Sequence, residues 1–473
     1  MELPARVRPK DQQKLNTPPL AGGTAGPDAL APLLAAVLDA LRTGALDRGG
    51  PLPAGGPTTT AHRVHTAAHP LLPDHGTGPE AALGPLVHAL TRGAADPADP
   101  LCAAHLHAPP LALAAAADLA ASVLNPSLDS WDQAPAASAL EAELTHTLAR
   151  ETYPAADHPD ALLTTGGTEA NQLALLLARE RHPTPLHVVH GANAHHSLPR
   201  AAWLLGLPAT HTVPTPTGTL DPEALHHTLA SLTGHPVLVA ATAGTTDSGA
   251  IDPLPALADV CAAHGADLHV DAAYGGPLLF SERRRHALHG LDRAHSVTLD
   301  LHKLGWQPVA AGILAVHRTS RLDPLQHTAD YLNSHDDTEA GLPDLLGRSL
   351  RTTRRPDAFK MAVTLRALGR DGLGALVDQV CDLADTLAEK IHHHPALTLH
   401  ARPALSTVLF RPADADDEQV AAVRRTLLDD GHAVLGRAHA QGRLWLKATL
   451  LNPHTQPGDL DRMLKLVEGH TPR

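Results

Sequence analysis

Short apolar runs alternate with longer amphipathic stretches through the middle of the chain. The runs are rich in Val, Leu and Ala and comprise Ala161–Thr165, Leu186–His190, Val237–Ala241, Asp267–Asp271, Ser296–Leu299 and Ile313–Val316. Runs of this length predict buried strands, and the helix-length segments between them predict βα units. We therefore expect an α/β fold with a mostly parallel sheet, whose ligand binds beyond the carboxyl ends of the strands.

The segment before this alternating pattern is rich in Pro and Gly. Residues 1–105 contain two amphipathic stretches, Ala29–Leu41 and Pro79–Thr91, and Gly-Gly pairs that begin at Gly22 and Gly49. Amphipathic stretches separated by Pro and Gly predict helices joined by loops. We expect residues 1–105 to form an extended helical arm.

The segment after the alternating pattern begins with an Arg-rich sequence, RTTRRPDAFK. A long helical pattern follows at Phe359–His394, and strand-like runs follow at Ser406–Phe410 and Leu444–Thr449. We therefore predict a large domain over residues 106–360 and a smaller α+β domain over residues 361–473.

Composition and charge favour a small-molecule ligand. The 473 residues carry a net charge of −13 and contain no dense block of Lys and Arg, so neither nucleic acid nor an anionic membrane is an expected partner. Residues 1–20 contain no apolar stretch long enough for a signal sequence, and Asp39 and Asp118 interrupt the longest later apolar runs. We expect no membrane-spanning segment.

Cysteine and histidine usage indicates the compartment and bears on metal binding. Cys102, Cys261 and Cys381 are far apart and odd in number, which predicts free thiols in a reducing, cytoplasmic environment. Histidine is common at 35 residues, yet the run His392–His394 precedes Pro395 without acidic or cysteine partners. Such a run is typical of a solvated helix end, and we predict no metal site.

The strand Ala161–Thr165 runs directly into the sequence GGTEAN and a helical stretch. Gly166 and Gly167 let the backbone approach a ligand, while Thr168 and the first N–H groups of the helix offer donors to an anion. A phosphate fits such a site, and the sequence is neither a P-loop nor GxGxxG, so a nucleotide is not its favoured owner. The alternative is a tight turn with Thr168 as the helix N-cap.

Three further polar residues follow strand ends. Asp271, in LHVDAAYGG, is a carboxylate that needs a cationic partner such as a protonated ring nitrogen, and the small residues beside it leave space for a flat ring. Lys303, in SVTLDLHKLGWQP, is an amine nucleophile suited to an aldehyde cofactor. His195, in GANAHHSLPRAA, is an imidazole that can stack on a flat cofactor and pass a proton.

Each of these residues also has a plain structural interpretation. Asp271 could cap its own turn, Lys303 could be a surface lysine, and His195 could be a surface loop residue. The pieces nevertheless occur along the chain in the order GGTEAN (the anion loop), His195, Asp271 and Lys303, each at the end of a strand of one predicted sheet. That joint pattern favours a single cofactor site.

In these motifs the chain resembles the group II amino-acid decarboxylases, pyridoxal 5′-phosphate (PLP) enzymes of fold type I. The resemblance runs from about Cys102 to the C-terminus and rests on NPSLDSWDQAP, TTGGTEAN, NAHHSLPRAA, ATAGTTDSGAIDPL, HVDAAYGG, DLHKLGWQP, RTTRRPDAFK and LKATLLNP. It implies a mostly parallel seven-stranded sheet in the large domain, a smaller C-terminal α+β domain and an N-terminal helical arm. It also implies that PLP is the cofactor and that an L-amino acid is converted to a primary amine and CO₂.

The resemblance assigns roles within the site. It implies cofactor-binding residues in one cavity: Gly167, Thr168, His195, Thr246, Asp271, Ala273, His302 and Lys303. Lys303 would hold PLP as a Schiff base, and Asp271 would pair with the pyridinium nitrogen. His195 would stack on the ring, Ala273 would pack on the other face, and the anion loop would hold the phosphate.

Four stretches are most similar to the branch that acts on basic diamino acids, which includes L-2,4-diaminobutyrate decarboxylases and the lysine decarboxylases of siderophore pathways. They are DSWDQAP, ADYLN, GLPDLLGRSLRTTRRPDAFK and LKATLLNP. The sequence departs from the wider family at Asp300, where aromatic-amino-acid decarboxylases have an amide that helps to hold phosphate. An acid is a poor phosphate partner, so Asp300 is not assigned to the site.

The loop from Gln326 to Arg348 is charged and contains Gly and Pro, so we expect it to close over the substrate as a lid. Many relatives have a tyrosine shortly before the Arg-rich segment, whereas the tyrosine near this loop is Tyr331. We predict that Tyr331 or His195 delivers the proton to the substrate Cα. The acidic lid residues either favour a cationic substrate or are simply solvated: Asp330, Asp336, Asp337, Glu339 and Asp344.

The apolar faces of the arm predict a homodimer with the active site at the interface, as in relatives.

Other functions stay open at this stage. They are decarboxylation of ornithine or of an aromatic or acidic amino acid, oxidative decarboxylation to an aldehyde, aminotransfer, and a non-catalytic structural role. Release of a primary amine without H₂O₂ would distinguish simple decarboxylation from oxidative decarboxylation and aminotransfer. Lack of a PLP absorbance band would indicate the non-catalytic structural role.

Overall fold

The computed structural model describes residues 17–471; positions 1–16 of the predicted arm and 472–473 of the predicted small domain lie outside the described residues. The helices are α1 Gly26–Arg48, α2 Gly56–Ala68, α3 Pro79–Arg92, α4 Ala112–Leu124, α5 Pro135–Thr152, α6 Gly167–Arg179, α7 Ser197–Leu204, α8 Pro222–Ser231, α9 Leu254–His264, α10 His335–Glu339, α11 Ala358–His392, α12 Asp417–Asp429 and α13 Pro457–His470. The strands are β1 Cys102–Ala103, β2 Asp160–Thr164, β3 His187–Gly191, β4 His211–Val213, β5 Val237–Thr242, β6 Asp267–Ala272, β7 Ser296–Asp300, β8 Gly312–Val316, β9 Leu397–Leu399, β10 Thr407–Pro412, β11 Val434–Ala440 and β12 Arg443–Thr449.

The central sheet has seven strands in the order β2-β8-β7-β6-β5-β3-β4. Neighbouring strands are parallel except where β8 pairs with β2 and β7, so β2 and β7 share the direction of the rest. The prediction of a mostly parallel seven-stranded sheet is confirmed. The carboxyl ends of β2, β3, β5, β6 and β7 consequently lie along one edge.

The central strands form where the sequence offers runs that are apolar on both faces. Every residue of β5, β7 and β8 is buried, as expected for strands covered by helices on both sides of a sheet. The strands predicted from the sequence agree with those observed to within one or two residues.

A second sheet has five strands in the order β1-β11-β12-β10-β9. It packs on α12 and α13 and buries a separate apolar cluster that includes Phe410, Leu446 and Val467. The two-residue strand β1 pairs in parallel with β11 and brings the end of the predicted arm against this sheet. The division into three domains stays a prediction.

The long helical pattern predicted at Phe359–His394 is one element with a break. Within α11, Gly369 has φ 63° and ψ −175°, which is not helical. Glycine adopts this backbone conformation without the steric cost of a Cβ, so two helical segments meet there.

The N-terminal arm consists of α1, α2 and α3 with an exposed apolar surface. The helices α1 and α3 approach closely, since a Cβ at Gly44 would lie 2.8 Å from the carbonyl oxygen of His88. Leu46 is 74% exposed and Leu90 is 72% exposed. In the described part of the chain, α1 is the one helix that is long and apolar enough to cross a membrane by length and composition, which is weak evidence taken alone. The apolar segment that contains Asp39 is longer than the sequence analysis expects, and the absence of a membrane-spanning segment stays a prediction.

Candidate active site

A cavity of about 410 Å³ opens where the loops leave the carboxyl ends of the central strands. All the predicted cofactor-binding residues line it: Gly167, Thr168, His195, Thr246, Asp271, Ala273, His302 and Lys303. The structure therefore brings together residues that are separated along the chain, as the order of the motifs predicted. The individual roles of these residues stay predictions.

The anion loop joins β2 to α6 and approaches the cavity through two glycines. A Cβ at Gly167 would lie 3.0 Å from the Ala273 Cβ and 3.2 Å from Asp300 Oδ2, so a larger residue would crowd the loop. Glu169 Oε2 accepts hydrogen bonds from the backbone N–H of Thr165 at 2.6 Å and from its hydroxyl at 2.7 Å. The N-terminus of α6 thus presents its backbone N–H groups to the cavity within a fixed loop.

Asp271 lies near the end of β6 and is 5% exposed. Its Oδ1 accepts a hydrogen bond from the Ala273 backbone N–H at 3.1 Å, and its Oδ2 accepts one from Asn171 Nδ2 at 2.8 Å. The carboxylate therefore caps its own turn and also lines the cavity, and its pairing with a ring nitrogen stays a prediction.

Lys303 has an anionic partner that the sequence analysis had left out of the site. Its Nζ lies 3.0 Å from Asp300 Oδ2, and Asp300 is 1% exposed and lines the cavity. Asp300 Oδ1 has no hydrogen-bond partner among the described residues, and His302 Nε2 lies 3.5 Å from Oδ2. Asp300 therefore lines the cavity although the sequence analysis does not assign it to the site, because the turn after β7 brings residues three apart together.

His195 lies on the loop between β3 and α7. Its Nδ1 lies 2.8 Å from Ser197 Oγ, and its ring stands 4.1 Å from that of His196, centroid to centroid. Burial lowers the pKa of His195, and this outweighs the opposing effect of the Asp271 carboxylate. The imidazole is accordingly neutral near pH 7.

The small domain supports two of the loops around the cavity. Lys447 Nζ donates a hydrogen bond to the carbonyl oxygen of Thr246 at 3.1 Å, and burial lowers the pKa of Lys447. The Tyr274 hydroxyl lies 2.8 Å from Ser406 Oγ and 2.9 Å from Thr407 Oγ1. These contacts fix the loops that follow β5 and β6.

Tyr331 is not among the residues that line the cavity, and it is 82% exposed. Its loop is organised around buried Asn333, which accepts a hydrogen bond from the Ala329 N–H at 2.7 Å and donates one to Asp344 Oδ1 at 3.0 Å. Of the acidic lid residues, Asp344 thus has a structural partner, whereas the other four are exposed. The role of Tyr331 as a proton donor stays a prediction that requires the lid to move.

Among the described residues one group has the spacing of metal ligands. The ligand atoms of Asp430, His432 and His470 lie within 4.8 Å of one another on the surface of the small domain. The predicted solvated run His392–His394 is not part of this group. Exposed groups of this kind are common without an ion, and we assign it no role.

The sequence analysis missed Asn171 and Ser197, which form hydrogen bonds with predicted site residues, and Tyr274, which lines the same cavity. Asn171 follows Gly167 by four residues, so one helical turn separates them on the same face of α6. That spacing was the available signal, since a buried amide next to an anion loop needs partners. Ser197 and Tyr274 had no comparable signal.

Comparison with known proteins gives three consistent findings. The family model described as "Pyridoxal-dependent decarboxylase conserved domain" matches residues 72–413. An L-2,4-diaminobutyrate decarboxylase from Rhizobium meliloti (strain 1021) is 40% identical over 418 residues, covering 85% of this chain and 84% of that protein. A second L-2,4-diaminobutyrate decarboxylase, from Acinetobacter baumannii, is 32% identical over 77% of this chain and 78% of that protein.

A solved structure is similar over nearly the whole chain. It is the glutamate decarboxylase domain of a diaminobutyrate-pyruvate transaminase and L-2,4-diaminobutyrate decarboxylase from Vibrio parahaemolyticus. The TM-score is 0.84 with 29% sequence identity, and the match covers 96% of this chain and 97% of that chain. The fold predicted from the sequence is confirmed.

Proposed function

The chain belongs to the pyridoxal-dependent decarboxylase family, and from this premise we propose that its substrate is L-2,4-diaminobutyrate, which it converts to 1,3-diaminopropane and CO₂. The reaction class and the cofactor, PLP, follow from the family. The observation that carries the substrate is 40% identity, over 85% of this chain, to a protein named for that activity. L-Lysine is the competing substrate that the sequence analysis retained.

The cavity fits PLP in size and in the chemistry of its donors. Its volume of about 410 Å³ lies within the range of small-molecule sites. The glycines and Thr168 at the N-terminus of α6 would hold the phosphate, Asp271 the ring nitrogen and Lys303 the aldehyde carbon. Bound PLP supplies an electron sink for the bond that breaks at the substrate α-carbon.

The side chains of this protein have three tasks in that reaction. Asp271, held by two hydrogen bonds, keeps a negative charge where a protonated ring nitrogen is needed. Lys303 supplies the amine that exchanges with the substrate amine. Neutral His195 lines the cavity, where it would stack on the cofactor ring, and it can relay a proton toward the substrate α-carbon if it takes one up at Nδ1 as it gives up the Nε2 proton.

Among the described residues that line the cavity, Asp300 fits the cofactor poorly, because its carboxylate lies against the loop at Gly167 that would hold the phosphate. We expect Asp300→Asn to bind PLP more tightly, by roughly tenfold, since the substitution removes a negative charge near the phosphate while it retains the shape. Quenching of protein fluorescence during titration of the cofactor-free enzyme with PLP measures this affinity. Weaker binding would show that the carboxylate, through its contact with Lys303, assists the cofactor instead.

The acidic surface of the lid supports a substrate with a cationic side chain. Asp330, Asp336, Asp337 and Glu339 are exposed on the loop predicted to close over the cavity, where they attract a second ammonium group. To test the substrate, the PLP-loaded enzyme is given equal amounts of L-2,4-diaminobutyrate, ornithine, lysine, glutamate and tyrosine, and the amines are quantified by mass spectrometry. We expect 1,3-diaminopropane to dominate, and a dominant monoamine from glutamate or tyrosine would refute the proposal.

Tyr331→Phe distinguishes the two predicted proton donors. We expect the variant to form amine at close to the parental rate, because His195 lines the cavity whereas Tyr331 is exposed. Amine, aldehyde and H₂O₂ are measured together under air. A rate reduced by roughly 100-fold, or aldehyde and peroxide in place of amine, would assign the proton to Tyr331.

The exposed apolar surface of the arm supports a homodimer with the active site at the interface. Large apolar side chains on α1 and α3, among them Leu38, Leu46 and Leu90, lie open in a single chain, and covering them with a second copy removes them from water. Light scattering is expected to give twice the chain mass without detergent. A fully active monomer, or recovery of the enzyme only with membranes, would contradict this proposal.

We propose a cytoplasmic location and a place in diamine metabolism. Cys261 and Cys381 are buried, Cys102 is partly buried, and burial raises the pKa of each to about 12, which keeps them as unreactive thiols. Free thiols are suited to the cytoplasm, where fractionation should find the activity. A diamine product would enter diamine metabolism, siderophore assembly included.

A further inference from the structure

Beneath the cavity, Asn171 makes four hydrogen bonds from a position with no solvent exposure. Its Nδ2 donates to Asp271 Oδ2 at 2.8 Å and to Ser197 Oγ at 2.9 Å. Its Oδ1 accepts from Thr298 Oγ1 at 2.9 Å and faces His269 Nε2 at 3.0 Å. A side-chain amide has two N–H donors and two acceptor sites, so all four are used.

The chemistry of these partners fixes which way the amide points. Because the Asp271 carboxylate only accepts, the Asn171 NH₂ group must face it, and the amide oxygen must then face His269. Burial lowers the pKa of His269 to about 4, so its ring is neutral and donates from Nε2. The His269 Nδ1 is then the acceptor for the hydroxyl of Ser296 at 2.8 Å.

The same direction of donation continues from Asn171 to His195. Since Ser197 Oγ accepts from Asn171, its own O–H is free to donate to His195 Nδ1 at 2.8 Å. A neutral imidazole that accepts at Nδ1 carries its proton at Nε2. The groups that face this ring are Asp271 on β6, Asp300 and Lys303 after β7, and the adjacent His196.

We propose that Asn171 is a positioning residue that holds the Asp271 carboxylate in place and, through Ser197, fixes His195 in the form that carries its proton at Nε2. This inference rests on the proposed cofactor site. Asn171 would thereby support both the carboxylate that faces the cofactor ring and the neutral imidazole beside it. Asp271 is then restrained on both oxygens, because Ala273 N–H holds Oδ1.

Asn171→Asp tests the contact with Asp271. The variant keeps the shape of the side chain but places a second carboxylate within 2.8 Å of the first, which forces the pair to share a proton or to move apart. We expect PLP affinity, measured by fluorescence quenching, to fall by at least roughly tenfold and kcat by roughly 100-fold. Asn171→Ala removes the donor without adding charge and should show a smaller loss of both.

Ser197→Ala tests the contact with His195. The PLP affinity should stay within roughly threefold of the parent, while kcat falls by roughly tenfold with little change in KM. Because the unprotonated Nδ1 loses its O–H donor, protonation of His195 becomes more favourable, so the acidic limb of the kcat profile should move to higher pH. A purely structural role for Ser197 would lower the melting temperature without moving that limb.

Asn452→Ala is the matched control. Asn452 is also a buried asparagine, and its side chain donates to the carbonyl oxygen of Ala98 at 2.7 Å and accepts from the His454 N–H at 2.9 Å, but it does not line the cavity. We expect this variant to lose stability while PLP affinity and the pH profile stay parental.

The outcomes separate the inference from the proposed function. Parental PLP affinity in both Asn171 variants, or an unmoved acidic limb in Ser197→Ala, would overturn the positioning role. If the Asn171 variants do not fold, Ser197→Ala alone decides the matter. A parental enzyme that binds no PLP would instead refute the cofactor site itself.

Discussion

Lys303→Ala is expected to reduce amine formation by roughly 10⁴-fold or more, because no other amine can take its place in the cavity. Among the described residues that line the cavity, Lys303 is the only lysine, and the turn after β7 holds its Nζ 3.0 Å from Asp300 Oδ2. The amine released from amino-acid substrate, measured by mass spectrometry, gives the rate. The variant should still fold, since the ion pair of the Lys303 side chain is local, with Asp300 three residues away in the same turn.

Borohydride reduction of the PLP-loaded parent locates the reactive amine directly. We expect a pyridoxyl group on the peptide that contains Lys303. Lys390→Ala is a control, because Lys390 pairs with Asp461 at 2.6 Å on the surface of the small domain and is remote from the site. Labelling of another lysine, or substantial turnover by Lys303→Ala, would show that the assignment is wrong.

Asp271→Asn is expected to lower kcat by roughly 100-fold or more with a much smaller effect on folding. The substitution keeps the size of the side chain and the acceptor for the Ala273 N–H, but removes the negative charge that stabilises a protonated ring nitrogen. The rate of amine formation and the melting temperature are measured on the same preparation.

Asp267→Asn is the matched control for that prediction. Asp267 begins the strand that Asp271 nearly ends, and it forms a bidentate pair with Arg321 at 2.8 and 3.1 Å at the amino end of β6, the opposite end of the strand from the cavity. Its loss should cost stability and leave kcat near the parental value. Near-parental turnover by Asp271→Asn would refute the role of the carboxylate, and an equal loss in both variants would indicate a general effect of the strand.

The sequence predicts the central sheet well because both faces of its strands are covered. Strands such as Val237–Thr242 are buried at every residue, so their composition is apolar throughout and their ends are marked by Gly and polar residues. The site is predictable for a related reason, since Asp271 lies near the end of one such run and Lys303 follows the end of another by three residues.

Other features depend on contacts between distant segments. The two residues of β1 are a strand because β11 pairs with them, and no run of two residues gives a pattern. The break at Gly369 interrupts a helical periodicity that continues on both sides. Asp300 lies against Lys303 because of the turn between them. The types of residue found at these positions do not reveal that turn.

The arm shows how an apolar helix can be misjudged from its sequence. The charge at Asp39 predicts an interruption of the apolar run, but α1 continues through Asp39, whose side chain is exposed to solvent.

The most direct test of the central claim is the fate of the substrate carboxylate. L-2,4-Diaminobutyrate labelled with ¹³C at C1 is incubated with enzyme that has been stripped of PLP and with the same enzyme reloaded with it. We predict ¹³CO₂ and 1,3-diaminopropane in equal amounts, formed only by the reloaded enzyme. Retention of the label in an oxo acid, or formation of aldehyde and H₂O₂ in place of the diamine, would contradict this account.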